Sequence, residues 1–144
     1  SYVFGALKEA AKYTKKGKAS IQTALVATLQ VLDDRILLDR WYPGFPNGHD
    51  FNPAIVDECS RNADESVYLD VRSVVNPSTK GRNVRYRVAV SPGWECEFTL
   101  QFDKTIVSRS EMEAVCHDAG ALVGLANGRK IGMGRFTVIE FGEG

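Results

Sequence analysis

The chain has 144 residues, of which 44% are hydrophobic and 25% charged, and its 18 acidic and 18 basic side chains give a formal net charge of zero. This size fits one globular domain with a core large enough to fold unaided, and it argues against two domains. No apolar run approaches the roughly 18 residues of a membrane span, and no leader opens the chain, so we expect a soluble cytoplasmic protein without a membrane partner.

The three cysteines are Cys59, Cys96 and Cys116. Their odd number and the absence of CxxC spacing argue against both a disulfide framework and a zinc site. We expect reduced thiols that are mostly buried.

The first residues, SYVFGALKEAAKY, predict a helix because Phe4, Leu7 and Ala10 recur at helical spacing. Since the helix starts so early and the chain does not begin with methionine, we expect a longer parent chain with residues before Ser1. A turn at KKGK follows. The β-branched content of ASIQTALVATLQVL then predicts a long strand over residues 19–32.

Residues 39–64 are predicted to form a loop insertion. The segment DRWYPGFPNGHDFNPA contains three prolines and four aromatic residues, which favours an ordered surface loop, with a short helix over residues 53–61. Its aromatic side chains either anchor the loop in the core or offer stacking surfaces to bases: Trp41, Tyr42 and Phe45.

The middle of the chain predicts strands. SVYLDVRSVVN is one, and VRYRVAV is a second, with its apolar residues on one face and Arg85 and Arg87 on the other. ECEFTLQF alternates in the same way, so we expect it to form a hairpin with VRYRVAV. The alternation places these side chains inward: Cys96, Phe98, Leu100 and Phe102.

The last third predicts a capped helix, a glycine-rich connection and a strand. Ser108 and Glu111 match a capping box, and apolar residues then follow at helical spacing over residues 109–123. They are Met112, Val115, Ala119, Leu122 and Val123. The connection, residues 124–134, is called the glycine loop below, and RFTVIEF is the predicted closing strand. This order favours an α+β domain with helices on one face of a mostly antiparallel sheet, most simply in a ferredoxin-like arrangement.

The glycine loop resembles a known motif. Its GLA at residues 124–126, five further residues and GMG at residues 132–134 are similar to the glycine-hydrophobic-glycine repeat of the RAMP superfamily, the ferredoxin-like RNA-binding proteins of CRISPR systems. Ala126 stands where that pattern has its second glycine. The resemblance implies a single RAMP-like domain over residues 1–144, with an RRM-like fold, whose loop contacts RNA. The stretches DVRSVVNPSTKGRNVRYR and DAGALVGLANGRKIGMGRF are also similar to uncharacterised bacteriophage and prophage proteins. This resemblance implies a phage origin and a protein located in the host cytoplasm.

Basic residues are segregated along the chain. No acidic residue occurs over residues 71–94 or 120–139, although both stretches carry cations. Cations beside exposed backbone N–H groups of glycines suit phosphate oxygens. The predicted phosphate-binding residues are Arg72, Lys80, Arg82, Arg85, Arg87, Gly128, Arg129, Lys130, Gly132, Gly134 and Arg135. In the alternative interpretation the glycines serve close packing and the cations are solvated.

Catalysis has little support in the sequence. His49 is a candidate general base, but no partner group is identifiable, and His117 is expected to be an exposed helix residue. Asp33 and Asp34 are expected to be solvated, so we predict no metal and no cofactor.

The predicted function is therefore that of a phage-encoded, non-catalytic protein that binds single-stranded RNA or DNA. The alternatives are an anti-defence protein that binds a nucleotide signal or a host immune complex, a self-assembling interaction protein, and an endoribonuclease. Free strand edges would allow a homo-oligomer.

Overall fold

The computed structural model describes residues 1–39, 61–65 and 67–143. The chain divides into two compact units, each described by itself. The first unit consists of Ser1–Asp34 with Phe98–Gly144, and the second of Arg35–Glu97. That the chain forms one RAMP-like domain stays a prediction.

The first unit opens with the predicted helix. α1 spans Tyr2–Ala10, its first turn is capped by the Ser1 hydroxyl, which accepts the Phe4 N–H at 3.4 Å, and a 3-10 turn follows at Ala11–Tyr13. β1 (Lys15–Lys16) and β2 (Ala19–Ser20) then pair antiparallel. The turn predicted at KKGK joins them.

The long strand predicted over residues 19–32 is wrong. The segment contains β2, then α2 at Gln22–Thr28, and then β3 at Gln30–Val31. Ile21, Leu25 and Leu29 are buried and lie four residues apart, which is the spacing of one helix face. Burial of that face outweighs the weak β preference of the branched residues.

The capped helix is confirmed. α3 spans Arg109–Asp118, and the Ser108 hydroxyl accepts the Glu111 N–H at 3.2 Å while the Glu111 carboxylate accepts the Ser108 N–H at 3.0 Å. The helix continues as a π-helical turn at Ala119–Val123.

Leu122 was predicted to lie on the apolar face of the helix, but its side chain is exposed. The Gly124 N–H donates to the Ala119 carbonyl, five residues back, at 2.7 Å. This wider turn shifts the helix register, so that Val123 is buried and Leu122 is not.

The core of the first unit is formed by its helices and the segment before α3. Its largest fully buried side chains are Leu7, Ile21, Leu25, Val107, Met112 and Val115. They come from both stretches of the first unit. The apolar faces of α1, α2 and α3 therefore hold together residues distant in sequence.

The hairpin predicted between VRYRVAV and ECEFTLQF is also wrong. β6, at Leu100–Gln101, pairs with β3 instead. The burial alternation was predicted correctly, since residues 96, 98, 100 and 102 are half-buried and residues 97, 99 and 101 are exposed. Alternation indicates which side chains point inward but does not identify the partner strand.

The prediction of a closing strand is wrong as well. RFTVIEF, residues 135–141, forms no strand with any described residue. The Phe136 N–H donates instead to the Gly120 carbonyl at 3.2 Å, and the Arg135 side chain donates to the Ala121 carbonyl. The segment therefore packs along the end of the last helix rather than joining a sheet.

The second unit contains the longest strands. β4 (Val67–Val75) and β5 (Arg82–Val90) pair antiparallel along nine residues each, and an isolated bridge joins Leu38 to Cys96. Most of the predicted insertion at residues 39–64, with its stacking aromatics and short helix, lies outside the described residues. The α+β class is confirmed, and every sheet formed by the described residues is antiparallel and two-stranded. No helix in those residues is long and apolar enough to cross a membrane.

Candidate functional site

The β4–β5 hairpin separates charged from apolar side chains. Residues directly opposite each other in the register share a face of the pleated ribbon. Asp70 lies opposite Arg87, and Arg72 opposite Arg85, so these four side chains lie on one face. We call Arg72, Arg85 and Arg87 the arginine face. The sequence pattern gave Arg85 and Arg87 a common face, and the register adds Arg72.

The arginine face carries excess positive charge. Arg72 and Arg85 are like charges directly opposite each other, an arrangement that destabilises a sheet. Asp70 offsets part of this cost, because its carboxylate accepts the Arg72 Nε–H at 2.8 Å. Arg85 and Arg87 are exposed and form no ion pair with any described residue.

The remaining hairpin cations lie at the tip. The connection turns at Asn76, whose N–H donates to the Gly81 carbonyl at 2.8 Å and whose carbonyl accepts the Lys80 N–H at 2.7 Å. Lys80 has a φ of 56°, and its side chain is exposed. Arg82 lies opposite Val75, on the face that the arginine face does not occupy.

The opposite face of the hairpin is apolar and largely open. Val75, Val84, Tyr86 and Val88 have between 45% and 56% of their surface exposed. Val67 and Leu69, at the base of the same face, are buried. The hairpin is therefore amphipathic, with water reaching both faces over most of its length.

Tyr68 and Arg61 are two further residues near Asp70 and Arg72 that no sequence motif indicated. An open pocket of about 450 Å³ is lined by Arg61, Ala63 and residues 68–72. Tyr68 belongs to the charged side of β4, since it lies two residues before Asp70. The alternation of side chains along a strand therefore predicts from the sequence that Tyr68 shares a face with Asp70. Arg61 is brought here by the fold and carries no such signal.

The glycine loop, in the first unit, closes on itself. The Leu125 N–H donates to the Gly134 carbonyl at 2.9 Å. A Cβ atom on Gly134 would overlap the Leu125 carbonyl oxygen, and one on Gly124 would lie 2.9 Å from the Met133 carbonyl oxygen. The backbone that these glycines approach is therefore the loop's own, which agrees with the packing interpretation.

Gly128 and Gly132 have different surroundings. A Cβ atom on Gly128 would lie 2.8 Å from the Met133 sulfur, whereas nothing lies within 4 Å of one on Gly132. The Gly128 carbonyl accepts the Ile131 and Met133 N–H groups, both at 3.1 Å. Several N–H groups of the loop are thus already satisfied within it.

Arg129 of the glycine loop and Arg135, directly after it, are both engaged within the first unit. Arg129 donates to the Glu9 carboxylate at 3.2 Å, and Arg135 donates to the Ala121 carbonyl. Lys130 is exposed and has no ion pair with a described residue. The loop therefore offers less free positive charge than its sequence suggests.

The groups considered for catalysis and metal binding remain dispersed where they are described. His117 is exposed on α3, as expected, with its Nε2 atom 3.9 Å from the Glu113 carboxylate. Asp33 accepts the Thr99 N–H at 2.5 Å. The described residues contain no group of three or more His, Cys, Asp or Glu side chains that could hold a metal ion. His49 and Cys59 lie outside them.

The two described thiols differ in burial. Cys116 is buried, and this burial raises the pKa of its thiol to about 12, with a smaller contribution from the negative charge of Glu113. Cys96 is half-buried, and burial followed by the charge of Asp39 raises the pKa of its thiol. Neither is an activated nucleophile, since both remain protonated at neutral pH.

Comparisons of the chain with protein-family models, with curated proteins and with solved structures gave no match.

Proposed function

We propose that this protein is a non-catalytic nucleic-acid-binding protein, and that the arginine face of the β4–β5 hairpin contacts the phosphates. The observation that carries the proposal is the pairing of Arg72 with Arg85 beside Arg87, on an exposed ribbon with Asp70 as the one acid among them. A like-charged cross-strand pair costs stability unless an anion lies over it. Guanidinium groups bind phosphate oxygens in a bidentate manner, and successive phosphates form a matching row of anions.

Single-stranded RNA or DNA is the preferred ligand. Arg85 and Arg87 are about 7 Å apart along β5, because alternate residues of a strand are separated by two rises of 3.3–3.4 Å. An extended strand of nucleotides can follow such a row with its backbone, and its bases are free to stack. Tyr68 is on the same side of the ribbon and supplies an aromatic ring.

The glycine loop takes a secondary role in this proposal. Gly124 and Gly134 pack against the loop's own backbone, and Arg129 and Arg135 have partners within the first unit. Lys130 is the loop cation that remains available to a phosphate among the described residues.

The RAMP relationship, the ferredoxin-like arrangement and the phage origin are hypotheses that this proposal does not need. The glycine loop follows the last helix, as in the RAMP pattern, but residues 135–141 do not form the strand that follows the loop in that pattern. Ala126 has a φ of 61°, in the left-handed region that glycine favours. The position of the pattern's missing glycine thus keeps a glycine-like conformation. This is the feature that supports the resemblance.

The proposal is tested by fluorescence anisotropy with labelled single-stranded RNA and DNA over a salt series. For single strands, log K falls as log salt concentration rises, and each phosphate contact increases the steepness of this fall by about 0.7. We expect Arg85→Ala/Arg87→Ala to bind more weakly at low salt and to lower that slope by about 1.4.

The matched control is Lys12→Ala/Lys18→Ala, which removes the same charge from exposed positions of the first unit. It should leave the slope within error of the parent protein. Equal losses in both variants would mean that net charge alone governs binding, and no binding by the parent protein at low salt would refute the proposal. Arg129→Ala/Lys130→Ala measures the share of the loop, which we expect to be smaller than that of the hairpin.

A further inference from the structure

The outer edge of β4 has unpaired backbone groups. Hydrogen-bonded and non-hydrogen-bonded pairs alternate along an antiparallel ladder, and the bond from the Asn76 N–H to the Gly81 carbonyl sets its phase. The N–H and C=O groups of every second residue therefore point away from β5: Val67, Leu69, Val71, Ser73 and Val75. No described residue forms a hydrogen bond with them on that side.

We propose that this edge pairs antiparallel with β4 of a second copy of the chain, about a two-fold axis at Val71. Val71 is the central residue of the strand, so the whole of β4 takes part. The outward-pointing groups then meet in register, with Val67 opposite Val75 and Leu69 opposite Ser73 of the second copy. The same surface serves both copies, as a two-fold interface requires.

Charge complementarity selects this register. With Val71 on the axis, Asp70 lies opposite Arg72 of the second copy, and Arg72 lies opposite its Asp70. Opposite charges directly across two strands stabilise their pairing. The equivalent operation at the free edge of β5, centred on Tyr86, would place Arg85 opposite Arg87 of the second copy twice. The β4 edge is therefore favoured over the β5 edge.

An open pocket of about 450 Å³ lies at the centre of the proposed pairing. It is lined by residues 68–72 of β4 together with Arg61 and Ala63. Residues directly opposite share a face, so the two arginine faces would lie on the same side of one four-stranded sheet, β5–β4–β4–β5. The dimer would double the number of arginines that a nucleic acid meets.

The charge test uses sedimentation velocity over a range of protein concentrations without nucleic acid, so that the dimer and the proposed function can fail separately. The parent protein should show a concentration-dependent dimer. Asp70→Arg replaces two attractive cross-strand pairs by two repulsive ones, and we expect roughly 10- to 100-fold weaker dimerisation.

Asp70→Arg/Arg72→Asp is the compensating variant. It restores opposite charges across the axis, and within each chain it keeps one matched and one like-charged pair with Arg85 and Arg87. It should recover the dimer. A parent protein that stays monomeric at about 100 μM, or an Asp70→Arg variant that dimerises as well as the parent, would overturn the proposal.

A backbone test distinguishes the two edges. Val71→Pro removes an N–H that points away from β5, and Tyr86→Pro removes the equivalent N–H at the outer edge of β5, so neither change breaks a β4–β5 hydrogen bond. We expect the first to abolish the dimer and the second to leave it intact. The reverse result would assign the interface to β5 and refute the proposal. Circular dichroism establishes that each variant is folded, and the charge variants decide if a proline variant is not.

Discussion

Gly134 occupies a position where a side chain does not fit. It has a φ of 79°, and a Cβ atom would overlap the Leu125 carbonyl oxygen. Gly132 has a similar φ of 87° but open space around it. The two positions therefore separate backbone strain from steric overlap.

Gly134→Ala should lower the free energy of unfolding by about 3 kcal/mol or more, because strain and overlap act together. Gly132→Ala should cost about 1 kcal/mol, because strain acts alone. Urea denaturation of both variants measures the difference. Equal losses would show that the loop relaxes around the new methyl group and that the close approach of residues 125 and 134 is not required.

Cys116 links stability to alkaline pH. Its pKa is raised to about 12 in the folded chain, from an ordinary value of 9.0, chiefly by burial. Its contribution to stability is complete below about pH 9 and declines as the pH rises towards 12, because the unfolded thiol ionises first. The decline is at most about 1.4 kcal/mol per pH unit.

Cys116→Ala should therefore lose less stability than the parent protein between pH 9 and pH 11, whatever its stability at pH 7. All other residues are common to both proteins, so their effects cancel in the comparison. Parallel stability curves from urea denaturation at each pH would show that the folded thiol ionises normally.

At the scale of elements, α3 depends on its first turn. Ser108 and Glu111 satisfy each other's backbone N–H groups, and the bonds from Ser108 lower the pKa of the Glu111 carboxyl group. Ser108→Ala should cost about 1 kcal/mol of unfolding free energy, as loss of a helix N-cap usually does. Ser110→Ala removes a hydroxyl that lies 3.2 Å from the Ser108 hydroxyl but leaves both bonds of the capping box, so it should cost less in the same thermal or urea melts. An equal cost would mean that the box contributes nothing to stability.

The elements that the sequence predicted correctly are those with local determinants. α1 and α3 have apolar stripes and caps, and β4 and β5 have long alternating patterns, so each is recognisable from its own residues. The strand prediction for residues 19–32 failed because their apolar positions fit both the strand period and the helix period. Burial of Ile21, Leu25 and Leu29 favours the helix. The strand prediction for residues 135–141 failed because a strand needs a partner strand. Here residues 135 and 136 form hydrogen bonds with the last helix instead.

The candidate site was predictable in part. The alternation of VRYRVAV was sufficient to place Arg85 and Arg87 together, whereas Arg72 joins them through the β4–β5 register, which depends on pairing between distant residues. The engagement of Arg129 with Glu9 links residues 120 positions apart and could not be inferred from local patterns. Counting charges along the sequence therefore overestimates the free positive charge of the glycine loop and underestimates that of the hairpin.

At the scale of the whole molecule, buried apolar side chains are unevenly distributed. Among the described residues they belong to the first unit, apart from Val67 and Leu69. The candidate binding surface belongs to the second unit. The residues that stabilise the core and those proposed to bind a ligand are thus largely different, and substitutions on the arginine face should leave the core of the first unit intact.

The two stretches of the first unit meet where the chain leaves that unit and returns to it. The Leu32 N–H donates to the Thr99 carbonyl at 3.0 Å and Asp33 accepts the Thr99 N–H, so the polypeptide leaves and re-enters the first unit at one point. The entropy of closing a loop grows slowly with its length, by about 0.6 kcal/mol for each doubling. The stretch between this exit and return can therefore lengthen, shorten or be exchanged at little thermodynamic cost, which makes it the part of the protein best able to acquire a new ligand while the helical core is inherited unchanged.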